Sequence, residues 1–355
     1  MTSWPIYTGA GDPHDGIEDL PAPPSWRTFK GGATLLDTPA DDDPGRSRKL
    51  GDSQVRPVPS QREIQMINAA LFLRRPLLVT GRPGTGKSSL AYEVAKELKL
   101  GPVLRWPITS RSTLQDGLYR YDAIGRLQEE NLNQLRRSGS ADRRGADAAS
   151  GHAATDIGRH IRLGPLGTAL LPYRKPRVLL IDEVDKGDFD LPNDLLNVFE
   201  EGEFEIEELA RLPRETRVVP VMTGDRDTVV DIERGQVRCA AFPFVVMTSN
   251  GERDFPRAFL RRCLRLNLLP PDEARLRAIV AAHLGTEAAA DAEERIGRFL
   301  SLQSRSEVTT DQLLNAVYLA TSGARANGNE TGDDLAFEDV ITAVLQPLTE
   351  LSPGD

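Results

Sequence analysis

Residues 75–89 read "RPLLVTGRPGTGKSS", a short apolar run that ends in glycine and passes into a glycine-rich turn, a lysine and two serines. Gly81, Gly86, Lys87 and Ser88 satisfy the spacing G-x-x-x-x-G-K-[ST], and each residue type has a chemical reason to stand there. Glycines let backbone N–H groups turn towards phosphate oxygens, the lysine reaches the β- and γ-phosphates, and the serine hydroxyl ligates Mg²⁺. A helix opening at Ser89 adds the positive end of its dipole. The loop therefore nominates Gly81, Pro83, Gly84, Thr85, Gly86, Lys87, Ser88 and Ser89 as nucleotide contacts. The competing reading, a glycine-rich turn without a ligand, is disfavoured by the strand pattern before it and the amphipathic pattern after it.

Outward from this loop, "SQREIQMINAALFL" (60–73) has helical apolar spacing behind a Ser60 cap, and four further apolar runs read as strands: "VLRWPI" (103–108), "RVLLIDE" (177–183), "FVVMTSN" (244–250) and "LRLNLL" (264–269). Strands alternating with helical patterns imply an α/β fold, a parallel sheet covered by helices on both faces. Two of the runs end in polar groups that suit chemistry. "RVLLIDEVDK" carries Asp182 and Glu183 to the end of a buried strand, where a carboxylate is tolerated beside a cation or open water. Asp182 is placed to hold Mg²⁺ with Ser88, and Glu183 to polarise an attacking water. "FVVMTSN" ends in Asn250, an amide able to orient that water or, more blandly, a turn residue.

Residues 1–57 are rich in Pro, Gly and Asp and read as an extended arm or a disordered leader; Trp4, Ile6, Trp26 and Phe29, candidate anchors that lay such a segment on a folded surface, favour the arm. Residues 58–269 form the α/β domain, with a small, polar, locally basic insertion at about 136–155 and a second insertion at about 203–241, where "TVVDIERGQVRC" predicts a hairpin around Arg234-Gly235. From residue 270 to 355 the strand signal stops. "DEARLRAIVAAHL", "DAEERIGRFLSLQ", "TTDQLLNAVYLATSG" and "FEDVITAVLQPL" predict a small helical lid, with Asp272, Asp291 and Thr309 or Thr310 as caps.

Composition narrows the function classes. Net charge is −9, and the segment from Pro271 onward holds 15 acidic against 6 basic residues, which leaves 38 of each sign before it. An acidic lid repels a phosphate backbone and disfavours a dedicated nucleic-acid binder. Cys239 and Cys263 are too few for a disulfide framework or zinc site, and the four histidines show no ligand spacing. No apolar run is long enough to span a membrane, and the N-terminus lacks a secretory pattern, so the expectation is a cytoplasmic protein.

Taken together, "GRPGTGKSS", "LLIDEVDK", Asn250 and the helical lid resemble the AAA+ ATPases, P-loop NTPases, over roughly residues 58–350. Within that family, "IDEVDKGDFDLPNDLLNVFEEGEFEI" followed by "MTSNGERDFPRAFLRRC" is similar to the MoxR branch. The resemblance implies ATP and Mg²⁺ as ligands and a homo-oligomeric ring, usually a hexamer, with ATP bound between neighbours. It also implies an arginine presented to the next subunit's γ-phosphate from "AFLRRC". Arg262 matches that position, with Arg261 as its stand-in or as an interface residue; a solvated basic pair is the plainer alternative. The lid departs from the family pattern. Where many lids carry a sensor arginine, this one reads "VTTDQLL", with Thr310 and Asp311 near the expected place and Arg305 a turn earlier.

Three functions follow from the resemblance. The first is a chaperone-like remodeller of partner proteins, the MoxR resemblance pointing to partners with a von Willebrand factor A domain. The second is an ATP-dependent assembly switch or scaffold with slow hydrolysis. The third is a nucleic-acid motor, supported only by Arg136, Arg137, Arg143 and Arg144.

Overall fold

The computed structural model describes residues 4–32, 35–40, 44–51, 55–139, 157–213, 215–303, 308–321, 340 and 343–345. Ser60 accepts from the Glu63 N–H at 3.3 Å while the Glu63 carboxylate accepts from the Ser60 N–H, so helix Gln61–Leu73 opens on a reciprocal cap. It delivers the chain to β1 (Leu77–Thr80), an inner strand of a five-stranded sheet. With β2 (Leu104–Pro107), β5 (Val178–Asp182), β10 (Phe244–Ser249) and β11 (Leu264–Asn267), the order is β11-β1-β10-β5-β2, and every pairing is parallel.

Period-2 alternation divides this sheet's side chains between two cores. Leu78, Leu179, Ile181, Val245 and Met247 face one cluster. Leu77, Val79, Val178, Leu180 and Val246 face the other, against Ile67, Leu90 and Val94 of the flanking helices. Both faces of β5 and β10 are buried along their whole length, which is why these strands are almost uninterrupted in apolar residues.

A second, six-stranded sheet was not anticipated from sequence. It runs in the order β3 (Tyr119–Tyr121), β4 (Ile161–Leu163), β7 (Val218–Met222), β8 (Val229–Glu233), β9 (Gln236–Arg238), β6 (Glu203–Glu205). The hairpin expected around Arg234-Gly235 is present but short, Glu233 of β8 pairing antiparallel with Gln236 of β9 across that turn. The long antiparallel pair is β7 with β8, and Arg234-Gly235 turns the chain into β9, which leaves to pair with β6. Arg234 and Gly235 both have positive φ, as such a tight reversal requires.

Arg177, fully buried, joins the two sheets. Its guanidinium donates to both carboxylate oxygens of Asp225 at 2.8 Å and lies over the Tyr173 ring. Burial works against this charge, but the Asp225 hydrogen bonds and charge outweigh it, and the Arg177 pKa is raised.

The arm lies along the α/β body. Ile6 and Tyr7 donate their N–H groups to Asn68 Oδ1 at 2.7 and 3.0 Å, and Asn68 Nδ2 donates back to the Tyr7 carbonyl. Trp4 packs edge-on against Phe72 and Phe29 stacks on Phe242. Trp26 is not an anchor: it is 74% exposed, and its neighbour Arg27 instead caps the Arg74 carbonyl.

After β11, helices Glu273–Leu284, Thr286–Asp291, Glu293–Gln303 and Thr310–Thr321 pack on their own core around Leu276, Phe299 and Leu313. Asp272 accepts from the Arg275 N–H at 2.8 Å and caps the first of them. Asp291 ends a helix rather than starting one. Arg143, Arg144 and Arg305, and nearly all of the segment 337–348, lie outside the described residues.

Candidate functional site

The loop between β1 and helix Ser89–Glu97 is held in shape by its own side chains. Thr85 Oγ1 donates to the Arg82 carbonyl at 2.9 Å, and Lys87 Nζ donates to the carbonyls of Gly81 and Arg82 at 2.8 and 2.9 Å. Burial lowers the Lys87 pKa, opposed by the charges of Asp185, Asp182 and Glu183. Gly84 has φ +76, and a Cβ there would lie 2.7 Å from the Thr310 N, so only glycine fits between the loop and the start of lid helix Thr310–Thr321. Thr310 Oγ1 closes that contact by donating to the Gly84 carbonyl at 2.6 Å.

Parallel pairing carries the ends of β5 and β10 to the same edge as this loop. Ser88 Oγ donates to Asp182 Oδ1 at 2.8 Å, Thr248 Oγ1 donates to the same oxygen at 2.8 Å, and Arg105 Nη2 donates to Oδ2 at 2.9 Å. Burial pushes the Asp182 carboxyl up, yet these three donors outweigh it and hold the pKa below the ordinary carboxylate value. Thr248 also accepts from the Glu183 N–H at 2.8 Å, which fixes Glu183 at φ +59. Glu183 Oε1 lies 3.0 Å from Lys186 Nζ and 3.5 Å from Asn250 Nδ2. The loop, Asp182, Glu183 and Asn250 all line one cavity of about 470 Å³.

The family model for the AAA domain of the dynein-related subfamily matches residues 76–263, from the residue before β1 to the cysteine after Arg262. The chain belongs to this AAA family. AAA+ proteins bind ATP, generally with Mg²⁺, and typically assemble into rings. No curated protein matches the chain.

In this AAA domain the two arginines of "AFLRRC" stand apart from the cavity. Arg262 forms an ion pair with Glu200, with Nη2 donating to Oε2 at 3.2 Å, and Arg261 is exposed, its carbonyl accepting from Arg75. Neither residue lines the nucleotide cavity. From the lid, Thr310, Asp311 and Arg275 reach the cavity wall, but Arg275 is paired with Glu63 at 2.9 Å.

Sequence reasoning missed three polar side chains. Thr248 and Arg105 brace Asp182; Arg105 is the one polar residue of β2, and Thr248 with Ser249 ends the apolar run of β10, a signal that was available. Asp185 is the third: its Oδ2 accepts from Ser249 Oγ and from the N–H groups of Asn250, Gly251 and Glu252 at 2.9 to 3.1 Å. It thereby sets the turn that presents Asn250. Both cysteines are buried, and burial raises their thiols to about 12. Among the described residues no cluster of three His, Cys, Asp or Glu is placed to hold a metal, and no helix is long and apolar enough to cross a membrane.

Proposed function

We propose that the chain is an ATP hydrolase that works as a MoxR-like remodeller of partner proteins in a homo-oligomeric ring. The observation that carries this reading is the meeting of Ser88 Oγ and Asp182 Oδ1 at 2.8 Å on the rim that also bears Lys87, Glu183 and Asn250. A hydroxyl and an ionised carboxylate are hard oxygen donors of the type Mg²⁺ takes, so Ser88 and Asp182 fit that ion. When bound, it supplies positive charge to the phosphate oxygens. Backbone N–H groups of residues 83–89 and Lys87 bind the phosphates; Glu183 accepts the proton of the attacking water; the Asn250 amide orients that water. Arg262 acts on the neighbouring copy's γ-phosphate, in keeping with its place outside its own cavity, with Arg261 at the interface between copies.

Titration calorimetry and phosphate release test the assignment. Lys87→Ala is expected to weaken ATP binding at least about tenfold, and Glu183→Gln to keep binding while turnover falls roughly 10²- to 10⁴-fold. Wild-type turnover in Glu183→Gln would remove Glu183 from the chemistry. A partner bearing a von Willebrand factor A domain is the MoxR-type expectation. Pulldown with ATP-loaded Glu183→Gln protein tests it, and recovery of no client while the wild-type enzyme hydrolyses ATP would count against the remodeller.

One observation favours a second reading, an ATP-dependent assembly switch. The lid helix that touches the phosphate loop begins with Thr310 and Asp311 rather than with an arginine. A switch predicts assembly that follows ATP binding, persists in Glu183→Gln, and turns over far below the ~1–10³ s⁻¹ usual for enzymes.

A further inference from the structure

The phosphate loop sits at the N-terminal end of helix Ser89–Glu97, and the arm is tied to the other end. Glu97 lies eight residue steps along the helix from Ser89, about 12 Å along the axis. At that far end the Glu97 side chain is buried. Its Oε1 accepts from Thr8 N at 2.6 Å, Thr8 Oγ1 at 2.9 Å and Gly9 N at 3.1 Å, and its Oε2 accepts from Gly11 N at 2.9 Å. The backbone carbonyl of Glu97 accepts from His14 N at 2.8 Å, and His14 Nε2 stands 3.4 Å from Oε1. A buried carboxylate at a helix C-terminus is disfavoured both by desolvation and by the negative end of the helix dipole. Here the donors of the arm are what make it tolerable.

The segment so held is also a wall of the nucleotide cavity, since Tyr7, Gly9 and Gly11 line it together with Pro57, Pro59 and, from the lid, Ile279. Gly9 has φ +75, and a Cβ there would lie 2.3 Å from Pro59 Cγ, so the arm is pressed against the neighbouring wall with no room for a side chain. Of the apolar groups here, Tyr7 and Pro59 are buried and Pro57 and Ile279 half-buried, a lining that suits a base, with the Arg56 side chain beside Gly11.

We propose that residues 7–11 of the arm form the base-side wall of the nucleotide site, and that Glu97 is the positioning residue that holds them there. The inference rests on the ATP reading above. Reciprocity follows: if the docked arm tightens ATP binding, ATP stabilises the docked arm by the same factor.

The test compares dissociation constants for MgATP and for inorganic tripolyphosphate, which has phosphates but no base, in the full-length wild type, Glu97→Gln and Thr8→Pro. Glutamine places an NH₂ group against N–H donors, and proline at position 8 removes two donors from the arm without touching the core. Hydrogen exchange at the Gly9 and Gly11 amides reports docking. The expected result is lost amide protection in both variants, ATP binding weakened about tenfold, and tripolyphosphate binding within about twofold of wild type. In the wild type, ATP raises protection at the same amides. Undocking with unchanged ATP affinity would overturn the proposal, as would equal weakening of ATP and tripolyphosphate, which would place Glu97's effect at the phosphate loop. A wild type that binds neither probe would instead bring down the nucleotide reading, and this inference with it.

Discussion

Glu93 lies in the wall of the nucleotide cavity, one turn before the arm's anchor, and burial raises its carboxyl from 4.5 to about 7, with the charges of Arg275 and Arg56 working the other way. The sign of the consequence follows from that direction. A carboxyl raised by folding stays neutral at little cost below its unfolded value, and its favourable contribution disappears as pH climbs through the folded value. Wild-type stability relative to Glu93→Gln should therefore fall between pH 4.5 and about 7 and level off above. We expect a difference of about 2 kcal/mol between pH 5 and pH 8, discounted for the cavity's access to water. Urea denaturation of the two proteins at those pH values measures it, and parallel pH profiles would show that Glu93 does not titrate in this range. Neither Glu93 nor Asp185 was legible in sequence, because each depends on what the fold packs around it: Glu93 on the cavity wall, Asp185 on the four donors converging on one oxygen. Lys87, Ser88 and Asp182 were legible because a fixed spacing and a strand end bring them together whatever the rest of the chain does.

The five strands of the parallel sheet are readable for a similar reason. The inner strands β1, β5 and β10 are buried on both faces and so nearly apolar throughout, which is conspicuous, whereas every second residue of the edge strands β2 and β11 is exposed. The second sheet offers no such pattern. Its strands are three to five residues long, and β3 finds β4, and β6 finds β9, only after intervening segments that no local rule specifies. What holds that sheet against the first includes the Arg177–Asp225 pair. Arg177→Met would strand the Asp225 carboxylate in an apolar setting, and we expect a loss of about 3–5 kcal/mol by chemical denaturation. The double variant Arg177→Met, Asp225→Leu removes both charges and should recover most of that loss. If the single variant cost no more than the double, the pair would be solvated in solution and the two sheets held by apolar packing alone.

In the molecule as a whole, the proposed function calls on a group, Arg262, that does not line the cavity. Residues 83–89, Asp182, Glu183 and Asn250 line one cavity, whereas Gly81 and Arg261 do not and Arg262 is bound to Glu200 outside it. A group that stabilises charge on the γ-phosphate has to reach within hydrogen-bonding distance of it, so Arg262 acts across an interface or has no part in turnover. Mixing two inactive proteins separates these alternatives. Arg262→Ala keeps a complete pocket and lacks the arginine; Lys87→Ala lacks the pocket and keeps the arginine. In an equal mixture that exchanges subunits, a competent pocket faces a competent arginine at about one interface in four, so the mixture should regain roughly a quarter of the wild-type rate while each variant alone stays inactive. Light-scattering mass of the mixture with ATP establishes that subunits have assembled, which gives a negative result its meaning. An assembled mixture with no recovered phosphate release would leave Arg262 as a partner of Glu200 that braces the helix before β11, and would require the γ-phosphate to be stabilised by groups of its own chain.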